Sequence, residues 1–337
     1  FIFSDTNLGV RLFGNYESNR SQFNLAYFDR LEKDTNSGLN TQRRRGQGVI
    51  VANYFRQDFL FPGLTEQLSI HHLDDEKSFH FDENDFLARP DPVGIFKRHS
   101  QRVTYFGWTG SGKIDRINLE HAFYYARGRD SRNPIAGRDV DIRAYMAALE
   151  LSYDRDWYRP KISYFFASGD GKPRDRTARG FDSIFDNPNF VGGGFSFWNR
   201  LAVKLTGTGV NLVSRGSLLP DLRSSKEEGQ PNFVNPGIHI INVGLDVELT
   251  PKLKLLLNAN YLEFARVETL QLLLFQSKIR KEIGKDLNVG IRYRPFNNNN
   301  VIALIGYAAF LPGKGFKDIF ESGKPLHTAF TNLILTF

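Results

Sequence analysis

The feature that most restricts what this chain can fold into is a period of two. Leu8, Val10 and Leu12 alternate with Gly9, Arg11 and Phe13, and Phe23, Leu25 and Tyr27 alternate with Asn24, Ala26 and Phe28. The pattern returns in Tyr145, Ala147, Leu149, Leu151 and Tyr153, set against Ala144, Met146, Ala148, Glu150 and Ser152. It returns again in Leu255, Leu257, Ala259 and Tyr261, set against Lys254, Asn258 and Asn260. Successive side chains of a strand point to opposite faces, so each such segment meets one apolar and one polar environment. About thirteen segments read this way: 8–16, 22–31, 48–57, 66–74, 101–109, 115–127, 141–153, 160–168, 237–249, 253–264, 284–294, 301–310 and 327–337.

The connections alternate in length. Short ones fall near 17–21, 58–65, 110–114, 154–159, 250–252 and 295–300; long ones fall near 32–47, 75–100, 128–140, 169–236, 265–283 and 311–326. Two-faced strands with tight turns at one end and long loops at the other describe a bacterial outer-membrane barrel. Lipid offers no partner to backbone groups, so an all-strand wall there must close on itself. Tyr16, Tyr125, Tyr153, Tyr293 and Phe337 stand near segment ends, as interfacial aromatics do. A soluble sandwich uses strands of about five or six residues, and a propeller repeats a blade motif about every 40–50 residues. Neither pattern is present.

The expectation is an all-β chain, a single transmembrane antiparallel β-barrel domain over 1–337, with about 14 strands visible or implied and about 14–18 in the complete protein. Short turns of such barrels are periplasmic, and the chain ends on that side with Leu333, Leu335 and Phe337. Counting back, segment 8–16 descends from the long-loop side. That parity implies at least one strand before Phe1. The stretch 169–236 is too long for a plain connector and is expected to form a lid or a plug. Leu201, Val203, Leu205 and Val210 to Val213 could form a hairpin within it. Arg is expected to be costly at lipid-facing Leu149, Leu255 or Leu257 and tolerated at inward Asn258.

Composition removes other classes. With no cysteine there are no disulfides, thiol nucleophiles or Cys-based zinc sites. The 41% hydrophobic and 14% aromatic content excludes a disordered chain. A mean hydropathy of −0.38, with no apolar run of about 18 residues, argues against a helical membrane protein. Gly107 to Lys113 has the glycine and lysine spacing of a phosphate loop, but Ile114 stands where Ser or Thr would hold magnesium. Asp170-Gly171 with Asp175 lacks the spaced ligands and distal Glu of a calcium loop. His71 and His72 point to opposite faces and cannot share a metal. No enzyme, cofactor or metal centre is expected.

What remains is the lumen. The alternation assigns inward Arg11, Arg30, Arg102, Arg116, Lys161, Lys254, Arg292 and Arg294, against the inward acids Glu120, Glu150, Asp246 and Glu248. Eight bases to four acids in a water-filled channel favours anions. Arg43 to Arg45 and Arg127 to Arg132 offer charge to membrane lipid and lipopolysaccharide phosphates. The formal charge of +7 has no nucleic-acid motif beside it.

Several blocks resemble the alginate-export family of outer-membrane proteins: FASGDGKPRD (166–175), GFDSIFDNPNFVGGGFSFWNR (180–200), TGTGVNLVSRGSLLPDLRSS (206–225), NPGIHIINVGLDVELTPKLKLLLNANYLEF (235–264) and PGKGFKDIF (312–320). The resemblance implies a monomeric barrel with a basic constricted pore that passes an anionic uronic-acid polymer. A small-anion diffusion porin, or a sleeve for periplasmic export subunits or a larger outer-membrane complex, would suit the same lumen.

Overall fold

The computed structural model describes residues 1–34, 39–76, 79–81, 84–89, 97–206 and 210–336. In chain order the strands are β1 (Leu8–Tyr16), β2 (Ser21–Lys33), β3 (Asn40–Gln57), β4 (Leu64–Asp75), β5 (His80–Phe81), β6 (Leu87–Arg89), β7 (Gln101–Ile114), β8 (Ile117–Asn133) and β9 (Arg138–Tyr153). They continue with β10 (Tyr158–Ala167), β11 (Thr177–Ala178), β12 (Val203–Lys204), β13 (Asn211–Val213), β14 (Ile238–Thr250), β15 (Leu253–Phe264), β16 (Glu282–Tyr293), β17 (Val301–Pro312) and β18 (Leu326–Leu335). Among the described residues three short α-helices, α1 (Phe197–Arg200), α2 (Glu268–Leu274) and α3 (Lys314–Phe320), lie between strands.

One 14-stranded sheet dominates: β11 hangs parallel on β9, and the other members follow β1-β2-β3-β4-β7-β8-β9-β10-β14-β15-β16-β17-β18 as antiparallel neighbours. Alternation written in the sequence becomes two faces. Leu25, Ile70, Phe106, Phe123, Leu149, Ile162, Val243, Leu257 and Ile305 all lie exposed on one of them. Tyr16, Tyr54, Trp108, Tyr153 and Tyr293 flank this band toward the short turns; Tyr125, Tyr145, Tyr164, Tyr261 and Tyr307 flank it toward the long loops. An exposed apolar belt between two aromatic rows is the surface a bilayer solvates. Leu333 and Leu335 face the same way, as expected; Phe337 lies outside the described residues.

The opposite face is concave. Residues 168–236 touch it on strands from β3 to β18: Arg45 donates to Glu227 O, Tyr105 packs on Phe181 and Phe233, and Phe165 packs on Phe190. Asp286 binds Ser196, Phe310 packs on Phe197, and Phe195 packs on Phe330. One segment can reach one face of so many strands only if the sheet curls round it. The fold is therefore a transmembrane antiparallel β-barrel wall with a folded segment inside.

That segment carries its own core, including Ile184, Trp198, Leu212, Leu219 and Leu222. Burial continues into the upper inner wall through Val49, Leu73, Val103, Ile142, Met146 and Ile240. Within it the fully buried Arg223 lies 2.8 Å from Asp182 and 3.6 Å from Asp221, and it also donates to the Ile184 and Ser183 carbonyls. Such a pair is costly to break, because either charge left alone would be buried without a partner. The expected hairpin exists as β12 with β13, but it belongs to this inner segment and not to the wall. At Gly237 the chain turns back into β14 at φ +59, where an added Cβ would lie 2.5 Å from Ala167 O.

The turn expected at 110–114 lies at 115–116, because β7 continues to Ile114, and two of the long connections are much shorter than the sequence pattern implies. The long loop expected at 128–140 contracts to 134–137, because β8 and β9 continue past the apolar band. Likewise β2 and β3 extend to Lys33 and back to Asn40. Alternation is lost there because the outer face turns polar above the membrane level, while backbone pairing continues.

Candidate functional site

Below the inner segment, toward the short turns, a cavity of about 590 Å³ opens between β8–β10, β14–β18 and residues 189–200. Its charged side is built by alternation. Lys161 on β10, Asp246 on β14 and Lys254 on β15 share the inward face of neighbouring strands. Asp246 takes Lys161 Nζ at 2.9 Å and Lys254 Nζ at 3.2 Å, and Lys254 also reaches Glu248 at 3.2 Å. Glu150 accepts the Ser163 hydroxyl at 2.6 Å.

Two cations are left over. Arg292 stands directly opposite Lys254 across β15 and β16, and its Nε is buried without a hydrogen-bond partner. Arg200, on α1 of the inner segment, donates to Gly194 O and stacks its guanidinium 3.3 Å from the Phe330 ring centre. Among the described residues neither has a carboxylate partner. An apolar patch of Phe195, Leu256, Ile302, Leu304, Phe330 and Ile334 lines part of the remaining wall, interrupted by Asn189, Asn258 and Asn332. An arginine offers a planar fork of donors to a carboxylate, and the apolar side can hold a carbon skeleton.

Of the eight bases assigned inward, Lys161, Lys254 and Arg292 line this cavity. Arg11 is inward on β1, bonded to Asn24 Oδ1 and lying over Phe13. Arg30 is inward but sealed behind the inner segment, held by Gln47 at 2.7 Å and Asp5 at 3.3 Å. Three assignments are corrected. Arg102 faces outward and pairs with Asp74 at 3.3 Å; its neighbours Gln101, Val103 and Tyr105 are the buried inward set. The apolar residues of that stretch point at Phe181 and Phe233 instead of lipid, which inverts the alternation. Arg116 sits in the turn between β7 and β8, and Arg294 lies past the end of β16, where it donates to Pro251 O. Both are at the short-turn rim, not in the bore.

The two-to-one excess of base therefore does not survive. Around the cavity Lys161, Arg200, Lys254 and Arg292 face Glu120, Glu150 and Asp246, four bases to three acids. Arg200 escapes a reading by alternation because it lies in the aperiodic inner segment. Asn258 is corrected as well. It faces inward as expected and lines the cavity, but it is buried in a hydrogen-bonded ladder with Asn242 and Asn288, so arginine there would break both bonds.

The decoys resolve simply. Gly107 to Lys113 lie within β7, with no helix following. His71 faces inward near Tyr124, while His72 faces outward and bonds Thr104. Arg179 stands between Asp170 and Asp175, at 3.9 and 2.9 Å. Among the described residues no group of three potential metal ligands occurs.

An apolar-belted antiparallel wall around a partly filled, charged lumen defines a transmembrane β-barrel. No family model matches the chain, and no curated protein sequence matches it. Among solved structures it is similar to the outer-membrane protein OprD of Pseudomonas aeruginosa at 14% identity and a TM-score of 0.44, covering 99% of this chain and 72% of that one. The siderophore receptor PirA of Acinetobacter baumannii aligns at 10% identity and a TM-score of 0.38, covering 94% of this chain. The ferric enterobactin receptor PfeA of P. aeruginosa aligns at 11% and 0.44, covering 92%. The chain spans less than half the length of these two receptors, 41% and 43%.

Proposed function

We propose that this chain is an outer-membrane channel wall that conducts small organic anions, with carboxylates bearing an apolar body as the preferred class. The observation that carries this reading is the pair of arginines without carboxylate partners, Arg292 and Arg200, beside an apolar patch in a cavity of about 590 Å³. That volume fits a small solute. The upper lumen is occupied by the close-packed 168–236 segment. A polyuronate conduit, the reading the sequence resemblance implies, would use the same arginines but requires that segment to move aside.

Planar-bilayer recording in a salt gradient tests the proposal. A weak anion preference is expected, fading as salt rises and screening shortens. Converting Arg200 and Arg292 together to Glu takes the cavity from four bases and three acids to two bases and five acids, +1 to −3, and should invert the preference. An aryl or alkyl carboxylate should reduce chloride current, while its neutral amide should not. A cation-selective wild type would overturn the reading. Block by an oligouronate but not by small carboxylates would favour the polymer conduit.

A further inference from the structure

On the outward face, just above the apolar band, β7, β8 and β9 present four arginines. Register places Arg127 of β8 directly opposite Arg143 of β9, and Arg102 of β7 opposite Arg129 of β8. Arg127 and Arg143 stand two residues beyond Tyr125 and Tyr145 on the same strands and face, about 7 Å further from the membrane centre along each strand. They belong to the level where an aromatic row gives way to headgroups.

Arg102 and Arg129 have acids of their own, Asp74 at 3.3 Å and Asp139 at 3.0 Å. Asp141 stands across from Arg129. Arg127 and Arg143 are exposed and have no ion pair among the described residues. Like charges directly opposite across an antiparallel pair destabilise it. A wall that keeps two such arginines together, with Arg102 and Arg129 beside them, has an unmet need for anions at headgroup depth.

We infer that Arg127 and Arg143, flanked by Arg102 and Arg129, form a binding site for the phosphate monoesters of a phosphorylated glycolipid in the leaflet around the long-loop end. Arginine suits phosphate through paired N–H donors. The apolar band directly below would receive the acyl chains. This inference rests on the membrane reading of the barrel and is independent of what passes through the lumen.

The test is native mass spectrometry and thermal melting of the full chain folded in detergent micelles. The probes are a bis-phosphorylated acylated glucosamine disaccharide, the same lipid after phosphatase treatment, and inorganic phosphate. The wild type should retain the bis-phosphorylated lipid and melt higher with it. Arg127→Gln with Arg143→Gln should lose at least tenfold in retention, and Arg116→Gln, in the opposite rim, should lose none. Equal retention of the dephosphorylated lipid would overturn the inference, as would an equal effect of inorganic phosphate or an unaffected double variant. Failure of the wild type to fold into micelles is read separately by circular dichroism and would overturn the membrane reading itself.

Discussion

The backbone N–H of Trp198 donates to Asp286 Oδ2 at 2.8 Å, tying the first turn of α1 to the inner face of β16. The Ser196 hydroxyl, which caps α1, donates to the same oxygen at 2.8 Å. A carboxylate on the wall thus satisfies groups that a helix start leaves without partners. Through α1 the wall fixes where Arg200 projects.

Asp286→Ala should therefore loosen the inner segment. It leaves a buried hydroxyl and a buried N–H unpaired, at about 1–3 kcal/mol each. Limited proteolysis within 168–236 should accelerate while the wall stays protected, and Asp286→Asn should fall between. Unchanged cleavage would remove the anchor.

The inward glycines Gly290 and Gly306 lie opposite each other on β16 and β17 and form the floor under Phe195. A Cβ at Gly290 would stand 2.3 Å from Phe195 Cδ1. Gly290→Ala should cost about 1–3 kcal/mol through overpacking. Adding Phe195→Ala should recover most of that, a coupling readable as non-additive melting shifts.

Arg at outward Leu257 should cost about 2–4 kcal/mol near the bilayer midplane. Glu120→Arg, inward at the cavity, should cost far less. Folding titrations into lipid vesicles report both, and equal costs would sink the assignment of faces.

Burial pushes the Asp170 carboxyl up to about 6, against the opposing pull of Arg179. Asp170 lies just past β10, where its backbone oxygen holds Thr269 and its Oδ1 accepts the Lys172 N–H. A carboxyl raised in the folded state gives its full support below its unfolded value near 3.8 and loses it as pH rises through about 6. The window is worth at most about 3 kcal/mol. Protection factors around 168–172, corrected for the base-catalysed intrinsic exchange rate, should fall between pH 4 and 7 in the wild type, and Asp170→Asn should flatten that fall.

The sequence by itself determined the outer surface. A strand in lipid must show apolar side chains every second residue, so the outward sets through Leu25, Leu149, Val243 and Leu257 were legible without coordinates. So were the inward positions of Lys161, Lys254 and Arg292, whose strands alternate cleanly. Tertiary structure alone decided the rest of the inside. Where residues 168–236 pack against the wall, its inner face is as apolar as its outer one, so Val103 and Tyr105 imitate lipid-facing residues and Arg102 is misplaced. Above the band the outer face becomes polar and alternation ends before the strands do, which hid the full length of β8 and β9. Arg200 joined the cavity through an aperiodic segment whose position depends on long-range contacts such as Asp286 with Trp198. Periodicity records the solvent each face meets; it carries no information about which distant segment will replace that solvent.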